Sequence, residues 1–280
     1  VLFLRTVQYE PGEQTVPSKG FPFDIPVLHR GCRIHFSSPV TILVGENGTG
    51  KSTLLEAMAT AIGLPAIGAA DASEDPTLVQ QRALGATLRL TWNRKTRRGF
   101  FLRAEDFFNF CRHLRSIKED ALEQLHRIDA DYEQRSTLAK QQAKLPYARA
   151  LSEMRTLYGD DLDAMSHGES FLQLFSSRIG GQGLFILDEP EAPLSPLRQL
   201  TLLHLVHEAV EQGSQFLIAT HSPIVMAYPG ATILHLTGGD IIRTDWSELE
   251  HVSLLRDFLA RPDAFLRRLS LADGANKHPN

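Results

Sequence analysis

Apolar positions along the chain come first in short runs broken by turn residues. LFLRTVQ, RIHF and VTILV, all within residues 1–44, have the length and residue types of strands, and the Pro/Gly-rich stretch EPGEQTVPSKGFPFDIP lies between the first two as a loop. At Lys51 the period changes. KSTLLEAMATAI places Leu54, Leu55, Met58 and Ile62 on one helical face, and Gly63 is a stop signal. The opening unit is therefore strand, glycine-rich turn, helix. Residues 87–103 (TLRLTWNRKTRRGFFLR) predict a β-hairpin: Leu88, Leu90 and Trp92 alternate before a charged turn, and GFFLR follows it. From Ala104 to Leu162 the composition shifts to Arg, Glu, Gln, Leu and Ala. Leu122, Leu125, Ile128 and Tyr132 recur there at helical spacing, without a sustained heptad, so a short helical lobe over 104–165 is expected and not a long coiled coil. After Gly168 the order is helix (ESFLQLFSSRI), strand (GLFILDE), helix (LRQLTLLHLVHEAVEQ), strand (QFLIAT), two shorter strands (ATILHL, DIIRT) and amphipathic helices over 247–270.

Near-continuous apolar strands alternating with helices predict an α/β fold with a mostly parallel central sheet covered on both faces. The whole of 1–280 is expected to be one domain carrying the lobe as an insertion. With 42% hydrophobic and 22% charged residues the chain has the composition of an ordinary globular protein. Its formal net charge of -4 argues against a uniformly basic nucleic-acid binder and leaves a local basic patch open. Cys32 and Cys111 are too few for a disulfide framework. No stretch approaches the roughly 20 apolar residues of a membrane helix, and VLFLRTVQYE lacks the apolar core of a secretory signal, so the expected location is the cytoplasm.

Chemistry enters at Gly45-Glu46-Asn47-Gly48-Thr49-Gly50-Lys51-Ser52, which matches GxxxxGK[ST] directly after a strand and directly before a helix. Glycines let successive N–H groups and the helix N-terminus face a polyphosphate. Lys51 would reach the β/γ-phosphates, Ser52 would ligate Mg²⁺, and Thr53 continues the binding segment. Farther on, Leu184-Phe185-Ile186-Leu187 runs into Asp188 and Glu189. An aspartate at the carboxyl end of a neighbouring strand holds Mg²⁺ in such sites, and an adjacent glutamate can orient or deprotonate the attacking water. On its own the pair could equally be a solvated acidic turn; beside a P-loop it points to ATP hydrolysis.

Met165-Ser166-His167-Gly168-Glu169 lies about one helix before that acidic strand, and here the chain resembles the ABC-type ATPases, which keep their LSGGQ signature at that place. The resemblance implies that Ser166 and Gly168 grip the γ-phosphate bound by a second protomer, although Ser166 with Glu169 would also make a plain capping box. It implies too that His221, after the strand Phe216–Thr220, is the switch histidine that senses the γ-phosphate and helps position water. Three positions depart from the family: His167 stands for a glycine, Ser195 for the aspartate of the loop after the acidic strand, and no glutamine follows Gly99–Arg103, where Glu105 is a candidate Mg²⁺ or water contact or an ordinary helix-start carboxylate. Phe21-Pro22-Phe23 could stack on adenine or serve the core, and the turn Asn93–Arg98 could meet nucleic-acid phosphates or simply be solvated.

Within the superfamily, TILVGENGTGKSTLLEAM, DEPEAPLSP and THSPIV look like the soluble SMC/RecF-like and OLD-like branch of AAA-family ATPases, in a compact form without the coiled-coil arm. That resemblance implies an ATP-dependent homodimer enclosing two Mg-ATP, with DNA or a separate effector protein as partner, in DNA maintenance or phage defence. A transporter ATPase subunit and a slowly hydrolysing regulatory scaffold are the alternatives.

Overall fold

The computed structural model describes residues 2–11, 20–67, 78–132, 136–158 and 167–268. Its strands are β1 (Leu4–Tyr9), β2 (Cys32–His35), β3 (Val40–Val44), β4 (Arg89–Trp92), β5 (Gly99–Arg103), β6 (Leu184–Asp188), β7 (Gln215–Ala219), β8 (Thr232–Thr237) and β9 (Asp240–Thr244). The helices are α1 (Lys51–Ile62), α2 (Val79–Gly85), α3 (Ala104–Asp131), α4 (Thr137–Tyr158), α5 (His167–Arg178), α6 (Pro196–Glu211), α7 (Pro223–Met226), α8 (Glu250–Ala260) and α9 (Pro262–Arg268). A six-stranded sheet in the order β5-β6-β7-β3-β8-β9 is parallel throughout except for β9, which returns antiparallel to β8. The antiparallel sheet, β2-β1-β4, has three strands. The expected α/β architecture with a mostly parallel central sheet is the one observed, and an antiparallel sheet stands beside it.

Strand period explains why the central runs are apolar throughout. In β6, Leu184 and Ile186 face the core shared with α1 and the antiparallel sheet, while Phe185 and Leu187 face the core that holds Phe171, Phe175 and Leu202 of α5 and α6. β7 divides in the same way, Leu217 and Ala219 to one side and Phe216 and Ile218 to the other. Each such Leu, Ile or Phe contributes about 1.5–3 kcal/mol by burial. Helix α1 presents Leu54, Leu55, Met58 and Ile62 to the first core, as the period predicts, and stops at Gly63, whose φ of 74° is the left-handed turn that ends it.

The predicted hairpin over 87–103 does not form. β4 pairs with β1 and β5 pairs with β6, so residues 93–98 cross from one sheet to the other. The two runs differ in a way the structure makes sense of. RLTW alternates and lies at the edge of a half-exposed antiparallel sheet, whereas the continuous apolar GFFLR is buried on both faces of a parallel one. The free side of β5 is covered locally, because Phe101 N–H donates to Pro65 O at 2.8 Å and Ile67 N–H donates to Phe101 O at 2.9 Å.

The lobe is the helix pair α3 and α4, which pack on each other, with Asp129 of the first ion-paired to Lys140 and Lys144 of the second. Residues 159–166, the last part of the predicted 104–165 insertion, lie outside the described residues.

One buried side chain joins the two sheets. Gln215 Oε1 accepts from Phe3 N–H at 2.8 Å and from Leu4 N–H at 2.9 Å, and its Nε2 donates to Leu4 O at 3.0 Å. Gln215→Leu would remove this side-chain partner from all three backbone groups, at about 1–3 kcal/mol for each buried group left stranded. A loss of roughly 3 kcal/mol or more in urea denaturation is expected, with ATP affinity retained, because Gln215 opens β7 at the end of the sheet away from the P-loop.

Candidate active site

The P-loop, the acidic pair and the histidine all follow the carboxyl ends of three adjacent strands, β3, β6 and β7, the edge where parallel α/β sheets bind ligands. Between β3 and α1 the loop is held tightly. Gly45 has φ 149°, and a Cβ there would lie 2.6 Å from Leu236 O; Gly50 has φ 98°, and its Cβ would lie 2.7 Å from Ile25 Cδ1. A side chain at Gly45 would collide with backbone, and at Gly50 the positive φ strains any other residue. Lys51 Nζ donates to Gly45 O at 2.8 Å and to Glu46 O at 3.0 Å, while Thr49 Oγ1 donates to Glu46 O at 2.8 Å. The loop is thus closed on its own lysine. Burial pushes the Lys51 ammonium down from its ordinary value, opposed by Glu189, Asp188 and Glu191. Glu46, Asn47 and Gly48 form the exposed crest, and Thr53 is buried on α1.

Ser52, in the first turn of α1, donates to Asp188 Oδ1 at 3.1 Å across to β6. Asp188 is buried, and its carboxyl is pushed up to about 7, chiefly by burial and then by Glu56 and Glu189, with Ser52 and Lys51 opposing. A hydroxyl beside a desolvated carboxylate is a hard-oxygen donor pair of the kind Mg²⁺ takes, so these residues fit that ion.

Glu189 has φ 50°, the left-handed region for a non-glycine residue, and is held there by its N–H donating to Ala219 O at 2.9 Å. Its side chain is half-exposed, with Oε1 3.9 Å from His221 Nε2. The imidazole and the carboxylate thus face one another across the ends of β6 and β7. His221 borders a cleft of about 500 Å³ lined by Gly45, Thr49, His235 and His251 among others. Burial pushes His251 down from its ordinary value, and His221 and His235 add to the effect.

The start of α5 also reaches this region. Gly168 is buried, and a Cβ on it would lie 2.9 Å from Pro193 O and from Arg198 Cδ, so the helix is pressed against the loop that follows Glu189; Glu169 is ion-paired with Arg198 at 2.6 Å. Ser166 lies outside the described residues. Glu105 is exposed, and its neighbour Asp106 turns inward instead: both oxygens of Asp106 accept from Arg103, at 2.7 and 2.8 Å, and Arg103 Nη1 reaches Glu56 Oε1 on α1 at 3.0 Å. Arg103 ends β5 opposite Asp188, so this buried ion cluster joins the P-loop helix to the root of the lobe at the place where the family has its glutamine. Sequence reading missed Glu56, Arg103, Asp106, Glu191, His235 and His251; only Arg103-Ala-Glu-Asp, a base and an acid at i,i+3, carried a local signal.

Asn93–Arg98 lies at the opposite end of the sheet. Arg98 O accepts from Leu184 N–H at the start of β6, and Arg94 pairs with Gln182 and rests over the Phe3 ring. In the aromatic segment, Phe21 is exposed and Phe23 packs partly on the core.

A glycine-rich loop closed on its own lysine, beside an acidic strand end and one strand from a histidine, fits an ABC-type P-loop ATPase, an enzyme that hydrolyses ATP. Residues 27–174 match the family model described as an AAA domain, and the chain belongs to that family. A second AAA-domain model, whose description names the AbiEii toxin and Type IV TA system, matches residues 164–227. The chain is similar to the cobalt import ATP-binding protein CbiO of Salmonella paratyphi A, at 24% identity over 85% of each chain. It is similar in structure to the Smc head domain of Pyrococcus furiosus, bound to the C-terminal domain of ScpA (TM-score 0.46, 13% identity, 92% of this chain and 100% of that one). The ADP conformation of an ATP-binding cassette of an ABC transporter gives 0.46 at 17% identity, covering 91% and 99%. No helix among the described residues is long and apolar enough to cross a membrane.

Proposed function

We propose that the chain is an ATP-driven switch that closes as a homodimer around two Mg-ATP and serves DNA maintenance or phage defence. One observation carries this reading: Lys51, the Ser52–Asp188 pair, Glu189 and His221 converge on one sheet edge, and the buried start of α5 is packed against the loop leaving that edge. Gly45 to Thr53 wrap the triphosphate with backbone N–H groups, and Lys51 leaves its two loop carbonyls to meet the β/γ-phosphates. Ser52 and Asp188 would hold Mg²⁺, which would neutralise phosphate charge. Glu189 takes the proton of the attacking water, and His221 contacts the γ-phosphate and orients that water. Ser166 and Gly168 of the second protomer complete the site. Because the γ-phosphate supplies contacts that ADP lacks, hydrolysis reopens the dimer.

The similarity to a cobalt import ATP-binding protein supports a second reading, a transporter ATPase subunit. The second AAA-domain model, with its toxin-system description, supports the defence reading. Light scattering after size exclusion of Glu189→Gln, with and without Mg-ATP and duplex DNA, tests the proposal. An ATP-dependent shift from monomer to dimer that DNA strengthens is the expected result. ATP binding without a dimer under any condition would remove the sandwich for the isolated chain, and stable co-purification with a membrane partner would select the transporter reading.

A further inference from the structure

Every backbone donor of the loop that carries His221 has an identifiable partner. Thr220 N–H goes to Leu43 O at 3.3 Å, Ser222 N–H to Thr220 Oγ1 at 3.0 Å, and the N–H groups of Ile224 and Val225 to Ser222 Oγ at 3.2 and 3.3 Å. These bonds are local or belong to the sheet. His221 N–H alone is satisfied by a side chain from another loop: it donates to Glu191 Oε1 at 2.7 Å. That acceptor comes from the segment just after β6, two residues beyond Glu189. The other Glu191 oxygen, Oε2, is buried and has no hydrogen-bond partner among the described residues, so the hydrogen bonding found for this carboxylate goes to the histidine backbone.

The consequence is geometric. Glu189 N–H to Ala219 O ties the end of β6 to β7, and Glu191 to His221 N–H ties the segment after β6 to the residue two beyond β7. Between these two ties sit the Glu189 carboxylate and the His221 imidazole, 3.9 Å apart. A third link runs parallel to them: Ser222 Oγ bonds to Gln199 Oε1 on α6, whose Nε2 donates to Leu194 O at 3.2 Å. It fixes the residue after the histidine and leaves the amide of the histidine itself to Glu191.

Resting on the proposed role of His221, we infer that Glu191 is a positioning residue for hydrolysis, which acts by holding the His221 backbone so that its imidazole meets the γ-phosphate and water in register with Glu189. What matters is the reach of the oxygen and not the charge. Glu191→Asp keeps the charge and withdraws the oxygens by one methylene, whereas Glu191→Gln keeps an acceptor at the same reach and removes the charge.

The test measures steady-state ATPase and amide hydrogen exchange across residues 215–226 for both variants, alone and with His221→Ala. Glu191→Asp is expected to lower kcat by roughly 10- to 100-fold, the scale of misplacing a catalytic group by about an ångström, with little change in KM. It also speeds exchange of the His221 amide, while Glu191→Gln recovers most of the rate and the protection. In the His221→Ala background, Glu191→Asp is expected to cost nothing more. A Gln variant as slow as the Asp one would overturn the inference in favour of a direct charge role, and losses that multiply in the double variant would do the same. A slow His221→Ala beside an unimpaired Glu191→Asp would overturn the inference and leave the role of the histidine standing. His221→Ala at the wild-type kcat would remove that role and the inference together.

Discussion

Glu189→Gln is expected to lower kcat for ATP by about 10²- to 10⁴-fold, the contribution of a positioned general base, while ATP affinity stays near wild type. The two effects separate because Glu189 makes none of the contacts that shape the P-loop, which is closed by Lys51 and Thr49. The backbone of Glu189 is held at φ 50° by its N–H bond to Ala219 O, and the amide side chain of Gln is nearly isosteric, so the site keeps its shape and loses only the proton acceptor. Rapid-quench single turnover gives the rate of bond cleavage, and nucleotide titration gives the affinity. In the proposed sandwich the closed state depends on an intact γ-phosphate, so the same variant should also show the longest-lived dimer. A Gln variant that cleaves ATP at the wild-type rate would move the base elsewhere, and the residue facing it, His221, would be the next to test.

The parts of this site legible in the sequence are those whose chemistry is contiguous. A phosphate cradle needs glycines, a lysine and a hydroxyl in one run between a strand and a helix, and Gly45–Ser52 is that run. Asp188 and Glu189 stand at the end of an apolar strand, and the sheet places that end beside the P-loop because β6, β7 and β3 are neighbours. The Arg103 cluster was out of reach because its partners come from α1 and α3, Glu56 being 47 positions away. Glu191 was visible as a letter of DEPEAPLSP, but its role depends on an amide 30 positions on. In the fold, periodicity identified nearly every strand and failed on partnership: an alternating and a continuous run separated by a charged turn read as a hairpin, yet the difference in their patterns was itself the sign of two different sheets. Glu105 shows the limit of assigning a role by place. It stands where the family contact belongs, but the helix register of α3 turns Asp106 inward and leaves Glu105 exposed.

Asp188→Asn is expected to abolish Mg²⁺-dependent hydrolysis and, at the same time, to make the nucleotide-free protein more stable at pH 8. Both follow from a carboxyl that is buried in the folded chain and held up at about 7, against an ordinary value of 3.8. At a pH well below 3.8 the group is protonated whether the chain is folded or not, and it favours neither state. Between 3.8 and about 7 the unfolded chain ionises first and binds fewer protons, so folding stability falls as pH rises. Above about 7 the loss is complete. It amounts to a few kcal/mol, at about 1.4 kcal/mol for each pH unit that separates the folded and unfolded titrations. An asparagine side chain in this place would carry no charge to desolvate and could still accept from Ser52. The difference in stability between variant and wild type should therefore be small at the acid end, grow as pH approaches about 7 and then level off. Subtracting the two urea series at each pH removes the titrations that variant and wild type share, and what remains is Asp188 together with its coupling to Glu56, whose carboxyl is also raised by burial. A difference that does not change with pH would mean that the carboxylate is compensated in the folded chain. Mg²⁺ with a non-hydrolysable ATP analogue should erase the difference in favour of the wild type, because the buried negative charge that destabilises the empty site is the charge the ion requires.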